Sequence, residues 1–300
     1  MMTGCLRRVA RALAGTVVAV LLSGTVLASD VHRTQLRPAF DRDELLVVLI
    51  IGSDIGWPYR PGDARNGNAD AIHLVAVDTV ARRATVVDIP RDSVVGGTKV
   101  NAHLLTGGPQ RLRRQLESFA QVTIDHWMLT SFRGFERISE ALGGIDVVVD
   151  RPMHDEASGS DFDPGAHRVE GKDALAFARD RHSMPDGDFG RTRHQGDLLV
   201  GAHRRVTADG IGLADLVDLM GTLARHTASD IGPTQLLRMG LLAPRIDPAA
   251  VEQVSLTGRL DTLGGASVVR LRTRGVFDRI RAGDVGPSTR PSARPSAPAT

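Results

Sequence analysis

The chain has 300 residues, 42% of them hydrophobic, which is enough apolar material for a sizeable core and excludes wholesale disorder. Its formal net charge of only +2 excludes the polycationic surface that wraps nucleic acid, and no helix-turn-helix signature accompanies it. The single cysteine, Cys5, excludes an intrachain disulfide framework and a Cys-based zinc site.

In chain order, Arg7, Arg8 and Arg11 precede a charge-free run at 12–29 that ends in small residues. Residues 1–30 therefore read as an export signal. Val26-Leu27-Ala28 approximates a cleavage site, while the run is about as long as a bilayer span needs, so a cleaved signal and a retained anchor both stay open. Either way the expected location is extracytoplasmic, membrane-anchored or secreted.

LLVVLIIG (45–52) is a continuous apolar run suited to a central strand buried on both faces. AIHLVAVD (71–78) and ATVVDIP (84–90) follow as strands joined by a hairpin connection. PQRLRRQLESFA (109–120) opens on Pro and reads as an amphipathic helix. HWMLTS (126–131) is a short strand, and FRGFERISEALGG (132–144) is a helix with Phe132, Phe135, Ile138 and Leu142 inward and a Gly-Gly stop. IDVVVD (145–150) is a strand, a loop follows, and GKDALAFARDR (171–181) is helical. Helices are expected at 190–206, 212–226 and 234–244, then a strand-like piece, 251–260, returning to a sheet edge. The tail 283–300, rich in Pro, Ser and Ala, reads as disordered. The pattern predicts one α/β domain in α-β-α layers, with 206–282 as a helical C-terminal extension packed on it.

Three stretches carry candidate chemistry. Asp54 leaves the first strand and Asp70 enters the second. Both would reach one sheet edge, as a Mg²⁺ pair or as ordinary turn aspartates. In DIPRDSVVGGTKVNAH (88–103), Arg91 and Asp92 project from a loop, and Gly96-Gly97 permits either close approach to a ligand or a simple reversal. Lys99 follows; it and Lys172 are the two lysines, and the other 35 of the 37 basic residues are arginine. It suits a phosphate-binding point charge, or a plain surface lysine. In FARDRHSMPDGDFGRTRHQ (177–195), Arg179 and Arg181 end one helix, and Asp188 could cap the next, on which Arg191 and Gln195 share a face. No Walker loop, GxGxxG after a strand, GxSxG elbow or HExxH is present.

Taken in order, GSD (52–54), AD (69–70), IPRD (89–92), KVNAH (99–103), HW (126–127) before FRGFERISEALGGIDVVV (132–149), ALAFARDR (174–181) and DFGRTRHQ (188–195) resemble the LytR-CpsA-Psr (LCP) family. These enzymes attach anionic glycopolymers to peptidoglycan. The resemblance covers about 45–205, the expected catalytic domain. It implies a central mixed β-sheet sandwiched by helices around an apolar, lipid-binding interior. The implied reaction is a phosphotransfer, moving a glycan 1-phosphate from a polyprenyl-pyrophosphate carrier to peptidoglycan. Asp54 and Asp70 would place Mg²⁺. Arg91, Arg179, Arg181 and Arg191, with Lys99 and Gln195, would hold the phosphates, Arg91, Arg179 and Arg181 doing so at the reacting centre. Asp92 would be the general base or an orienter of Arg91. The implied partners are the lipid-linked donor, the peptidoglycan acceptor and the membrane, with no nucleic acid. A lipid-pyrophosphate hydrolase and a non-catalytic envelope protein that binds anionic lipid or glycan are the alternatives. The chain departs from the family pattern at Asn68, where Arg is common, and at His194-Gln195-Gly196, where Arg-Gln-Gln is usual.

Overall fold

A computed structural model describes residues 45–55, 67–208, 212–273 and 275–287. The expected export signal at 1–30 and the tail from 288 onward lie outside the described residues. Among the described residues no helix is long and apolar enough to cross a membrane.

Six strands form the central sheet, and its middle is built from the runs that look most like strands. β1 (Leu45–Ser53) pairs antiparallel with β2 (Ala69–Asp78), which pairs antiparallel with β3 (Arg83–Asp88). The β2–β3 turn closes because Asp78 Oδ1 accepts from the backbone N–H of Val80 (2.9 Å) and Ala81 (2.7 Å). A small hairpin follows, β4 (Val94–Val95) and β5 (Thr98–Lys99). Gly96 and Gly97 turn it with φ of 59° and 83°, so this glycine pair is a chain reversal.

Helix α1 (Ala102–Ala120) is interrupted by Gly107 and Gly108, and its second segment begins at Pro109, as the sequence predicts. β6 (His126–Ser131) runs parallel to β1 and passes without a loop into α2 (Phe132–Ala141), whose first turn is capped by Ser131 accepting from Gly134 N–H. β7 (Ile145–Val149) leaves the central sheet and pairs with β10 (Gly165–Val169); between them β8 (Met153–Asp155) and β9 (Ser160–Phe162) form another hairpin. The sequence reads this region as a loop, because its polar composition hides strands too short to show an alternation.

Helices α3 (Gly171–Arg179), α4 (Asp188–Ala208), α5 (Leu213–His226) and α6 (Pro233–Leu242) follow, with β11 (Thr227–Ser229) on the edge beside β6. β12 (Val251–Ser255) runs parallel to β3 at the opposite edge, the return predicted for 251–260. The rest of that piece departs as β13 (Thr257–Leu263), a hairpin with β14 (Ala266–Arg272), before α7 (Val276–Arg281). Residues 206–282 thus hold β11, β13 and β14 besides the helices and the expected return at β12, so this extension carries more strand than the helical one that the pattern predicts. The sheet order is β11-β6-β1-β2-β3-β12, with parallel and antiparallel neighbours.

Alternation along the strands divides the sheet between two layers. Val47, Leu49, Ile51, Ile72 and Leu74 belong to the main core with Leu112 and Leu116 of α1 and Phe277 and Ile280 of α7. The opposite positions, Val48, Ile50, Ala71, His73 and Val75, face a cavity of about 450 Å³ under helices α2 to α6. The α2 residues expected to point inward, Phe132, Phe135, Ile138 and Leu142, line this cavity.

Candidate active site at the mouth of the cavity

β1 ends and β2 begins at the cavity mouth, and α4 is laid over them. Asp70, at the start of β2, is 7% exposed. Its Oδ1 accepts from Arg91, on the loop after β3, and from Arg191 Nη1 on α4 at 3.3 Å. Arg191 Nη2 lies 2.5 Å from Asp188 Oδ1, one turn back on α4, and Arg91 Nε lies 3.9 Å from the same oxygen. Two guanidiniums and two carboxylates therefore alternate in one cluster, in which Asp70 and Arg191 are buried and Arg91 and Asp188 half-buried.

Its members do not share one environment. Burial works against the Arg91 charge, but Asp70, Asp188 and Asp92 together hold its pKa above the usual guanidinium value. Arg191 is only 4% exposed, and there burial pushes the pKa down despite the same acids. Burial likewise pushes Asp188 up, with Arg191 and Arg91 opposing. Arg91 Nε and Arg191 Nε are buried without a hydrogen-bond partner.

The remaining candidates sit around this cluster. Asp54 accepts from the backbone N–H of Asn68 (2.8 Å) and from its Nδ2 (3.2 Å), so Asn68 holds this carboxylate in place. Gln195 donates to the carbonyl of Ala178 (3.1 Å) and stretches to that of Asp70 (3.5 Å), which ties α3, α4 and β2 together. Arg179, the last residue of α3, lines the cavity with its guanidinium 5.1 Å above the Phe132 ring. Asp92 pairs with Lys99 at 2.9 Å, and neither of the two joins the Asp70 cluster. Arg181 is exposed past the end of α3 and has no ion pair among the described residues. Arg193 pairs with Asp186 at 3.0 Å, away from the cluster.

The fold thus brings Asp70, Arg91, Arg179, Arg191 and Gln195 to one place, with Asp54 at the adjoining strand end. Asp188, which the sequence marks only as a cap, proves an ionic partner of both Arg91 and Arg191. Asp180 is a residue that sequence reasoning misses. It is fully buried, accepts from Ser160 Oγ (2.6 Å) and Ser183 N–H (3.1 Å), and so fixes the turn between α3 and α4. The Pro-Asp-Gly turn is the signal that this bend needs an internal anchor.

The profile of the LytR_cpsA_psr family matches residues 23–278. The chain belongs to the LytR-CpsA-Psr family. Regulatory protein MsrR of Staphylococcus aureus (strain COL) is 29% identical over 179 residues, 57% of this chain and 52% of its own length. Cell wall biosynthesis protein LcpA of Corynebacterium glutamicum is 27% identical over 251 residues, covering 71% of this chain and 48% of its own. The chain spans about half the length of the curated relatives it matches. The solved structure of TagT bound to LI-WTA superposes with a TM-score of 0.66 at 19% identity, covering 85% of this chain and 98% of that one. The LytR-CpsA-Psr fold is therefore shared well beyond recognisable identity.

Within this LytR-CpsA-Psr chain, the His194-Gln195-Gly196 departure has a packing cause. His194 is 5% exposed and stacks on Phe177 with ring centroids 4.6 Å apart. Burial drives its pKa down to about 4, so it is a neutral aromatic of the core and no substitute for a guanidinium. At Gly196, a Cβ would run into the Asp88 carboxylate and the Gln253 side-chain amide. Gly196→Gln, restoring the family's usual residue, is expected to destabilise the fold by about 1–3 kcal/mol through overpacking. Urea unfolding measures it, and an unchanged midpoint would show that α4 can lift off the sheet without cost.

Proposed function

We propose that this protein is an extracytoplasmic phosphotransferase that moves a glycan 1-phosphate from a polyprenyl-pyrophosphate carrier to a hydroxyl of peptidoglycan. One observation carries the reading: a cavity walled mostly by aliphatic and aromatic side chains runs to Asp70, Arg179 and Gln195, beside the Arg91–Asp70–Arg191–Asp188 cluster. An apolar chamber ending on guanidiniums suits a hydrocarbon chain that ends in phosphate. Membership of the family, the name of LcpA and the bound state of TagT support the same class of substrate. The 1–30 segment supports the compartment, because it would put the site where lipid-linked wall precursors are displayed.

In the proposed reaction an acceptor hydroxyl oxygen bonds to the glycan-side phosphorus. The bond from that phosphorus to the bridging oxygen breaks, and polyprenyl phosphate leaves. Arg91, Arg179 and Arg191 balance the charge gathering on the phosphoryl oxygens, and the buried Nε–H groups of Arg91 and Arg191 are donors without protein partners. The hydroxyl proton goes to a carboxylate; Asp92 is the candidate, on the loop that carries Arg91 and paired with Lys99 at 2.9 Å.

The donors present fit Mg²⁺. Both arginine bonds to Asp70 fall on Oδ1, and no described residue bonds to Oδ2. Asp54, at the adjoining strand end, would add a second carboxylate. That is the donor set of an ion that keeps water and completes its shell with phosphate oxygens. When bound, Mg²⁺ would polarise those oxygens and neutralise developing charge.

The decisive assay incubates the full chain and Mg²⁺ with labelled lipid-linked glycan and peptidoglycan. Phosphodiester-linked glycan appearing with equimolar polyprenyl phosphate is the expected result. Free glycan phosphate alone would make the protein a hydrolase, and lipid binding without turnover would make it a binding protein.

A further inference from the structure

Among the polar groups in the cavity wall that the proposed chemistry does not use, His73 stands out. His73, in the middle of β2, is 2% exposed and sits directly across the ladder from Asp88 of β3. Its Nδ1 lies 2.8 Å from Asp88 Oδ1. Asp88 is itself fully buried, and its other oxygen accepts from Ser255 Oγ (2.6 Å) and Gln253 Nε2 (2.9 Å) on the edge strand β12. A carboxylate with both oxygens occupied in this way fixes the imidazole ring and keeps the hydrogen on Nδ1. Nε2 then takes no hydrogen bond from any described residue, although the ring lines the cavity.

The placement is specific. Ile50, the cross-strand partner of His73 on β1, and Val75, the next inward residue of β2, also line the cavity and are aliphatic. Toward the mouth comes Ala71, then Asp70, three residues or about 10 Å of strand away from His73. His203, the other imidazole in the lining, has its Nε2 bonded to the carbonyl of Ile246 at 3.0 Å. His73 is thus an oriented imidazole with an open nitrogen, on the hydrocarbon side of a cluster that suits phosphate. A pure hydrocarbon beside Nε2 would leave a buried polar atom unsatisfied, which is unfavourable.

We propose that His73, held by Asp88, binds an oxygen of the lipid-side phosphate of the amphiphile that occupies the cavity. This rests on the lipid-carrier reading above and names how that carrier is recognised. The glycan-side phosphate would stay with Arg91, Asp70 and Arg191, and the second phosphate, directed inward, would share one proton with Nε2. The proton enters from solvent with the phosphate, so that in the complex the ring donates to Asp88 from Nδ1 and to the phosphate oxygen from Nε2. Discrimination between a lipid phosphate and the bare lipid alcohol follows, because only the phosphate carries a negative charge that holds a proton on Nε2 and gains a charge-assisted hydrogen bond.

The test measures binding of polyprenyl phosphate and of the matching polyprenol to the purified full chain, with ¹⁵N-histidine spectra recorded for each. The wild-type protein should prefer the phosphate, and His73→Met should reduce that preference about tenfold while leaving polyprenol affinity unchanged. His73→Gln, which keeps a polar group at this position, should retain part of the preference. The His73 Nε2 signal should move with polyprenyl phosphate and stay in place with polyprenol. A folded His73→Met protein with the wild-type preference would overturn this inference and leave the lipid-carrier reading intact. If the wild-type chain binds neither lipid, both fall together.

Discussion

Replacing Asp70 by Asn is expected to lower glycan transfer by about 10²–10³-fold and to lower the melting temperature as well. Asp70 is where two guanidiniums meet, Arg91 and the nearly inaccessible Arg191. The amide cannot neutralise either one. Arg191 would keep only Asp188, whose own burial already pushes its pKa up. Removing one partner of a buried ion pair costs more than the pair contributes, since the remaining charge stays desolvated. Asp54→Asn makes the informative comparison. Asp54 is only half-buried; its Oδ1 accepts from the Asn68 backbone N–H and its Oδ2 from Asn68 Nδ2, and in the substituted amide the oxygen keeps the first bond while Asn68 can turn its own amide oxygen to accept from the new NH₂. That variant should lose transfer by a similar factor while keeping a stability within about 0.5 kcal/mol of wild type. Transfer rates corrected for folded fraction, with Mg²⁺ varied, separate the two effects. Full transfer by folded Asp70→Asn protein would remove the cluster from the reaction.

The contrast between these two aspartates shows how far the site is legible in the amino-acid sequence. Local pattern alone, the way one strand ends and the next begins, places both at one sheet edge. LLVVLIIG and HWMLTS declare their strands with similar ease. Local pattern does not reveal which charge meets which. Arg181 and Arg179 look equivalent as a sequence, yet helix α3 stops at Arg179, and that short separation leaves one in the cavity wall and the other exposed. Asp188 and Asp92 differ in the same way: the first turns to Arg91 and Arg191 and the second to Lys99.

The His73–Asp88–Gly196 set lies further out of reach. Its members come from β2, β3 and α4, far apart in sequence, and each looks ordinary alone. Only the ladder register that opposes His73 to Asp88, together with a helix backbone close enough to exclude a Cβ, makes them one unit. Even so, the departure at 194–196 is visible in the sequence. Its cause is packing: a neutral ring stacked on Phe177, and a glycine above a buried carboxylate.

The same region gives the second large effect, in the pH dependence of stability. His194 is held down to about 4 from 6.5, first by burial and then by Arg193. A depressed histidine contributes stability that is fully present above pH 6.5 and is lost as pH falls toward 4, by about 3 kcal/mol. Three residues on, Asp197 is raised to about 6 from 3.8, first by burial and then by repulsion from Asp88. Its sign is opposite: the contribution is full below pH 3.8 and is lost as pH rises through 6, again by about 3 kcal/mol. Between about pH 4 and 6 the two slopes oppose, and the wild-type protein should show a nearly flat stability profile from this region. Single variants uncover each slope. His194→Phe keeps the stack on Phe177 and removes the titration, so its stability should fall as pH rises from about 4 to about 6. Asp197→Asn should show the reverse, gaining stability over the same interval. Urea unfolding at closely spaced pH values measures all three proteins, and parallel profiles would mean that neither group is desolvated as its burial implies.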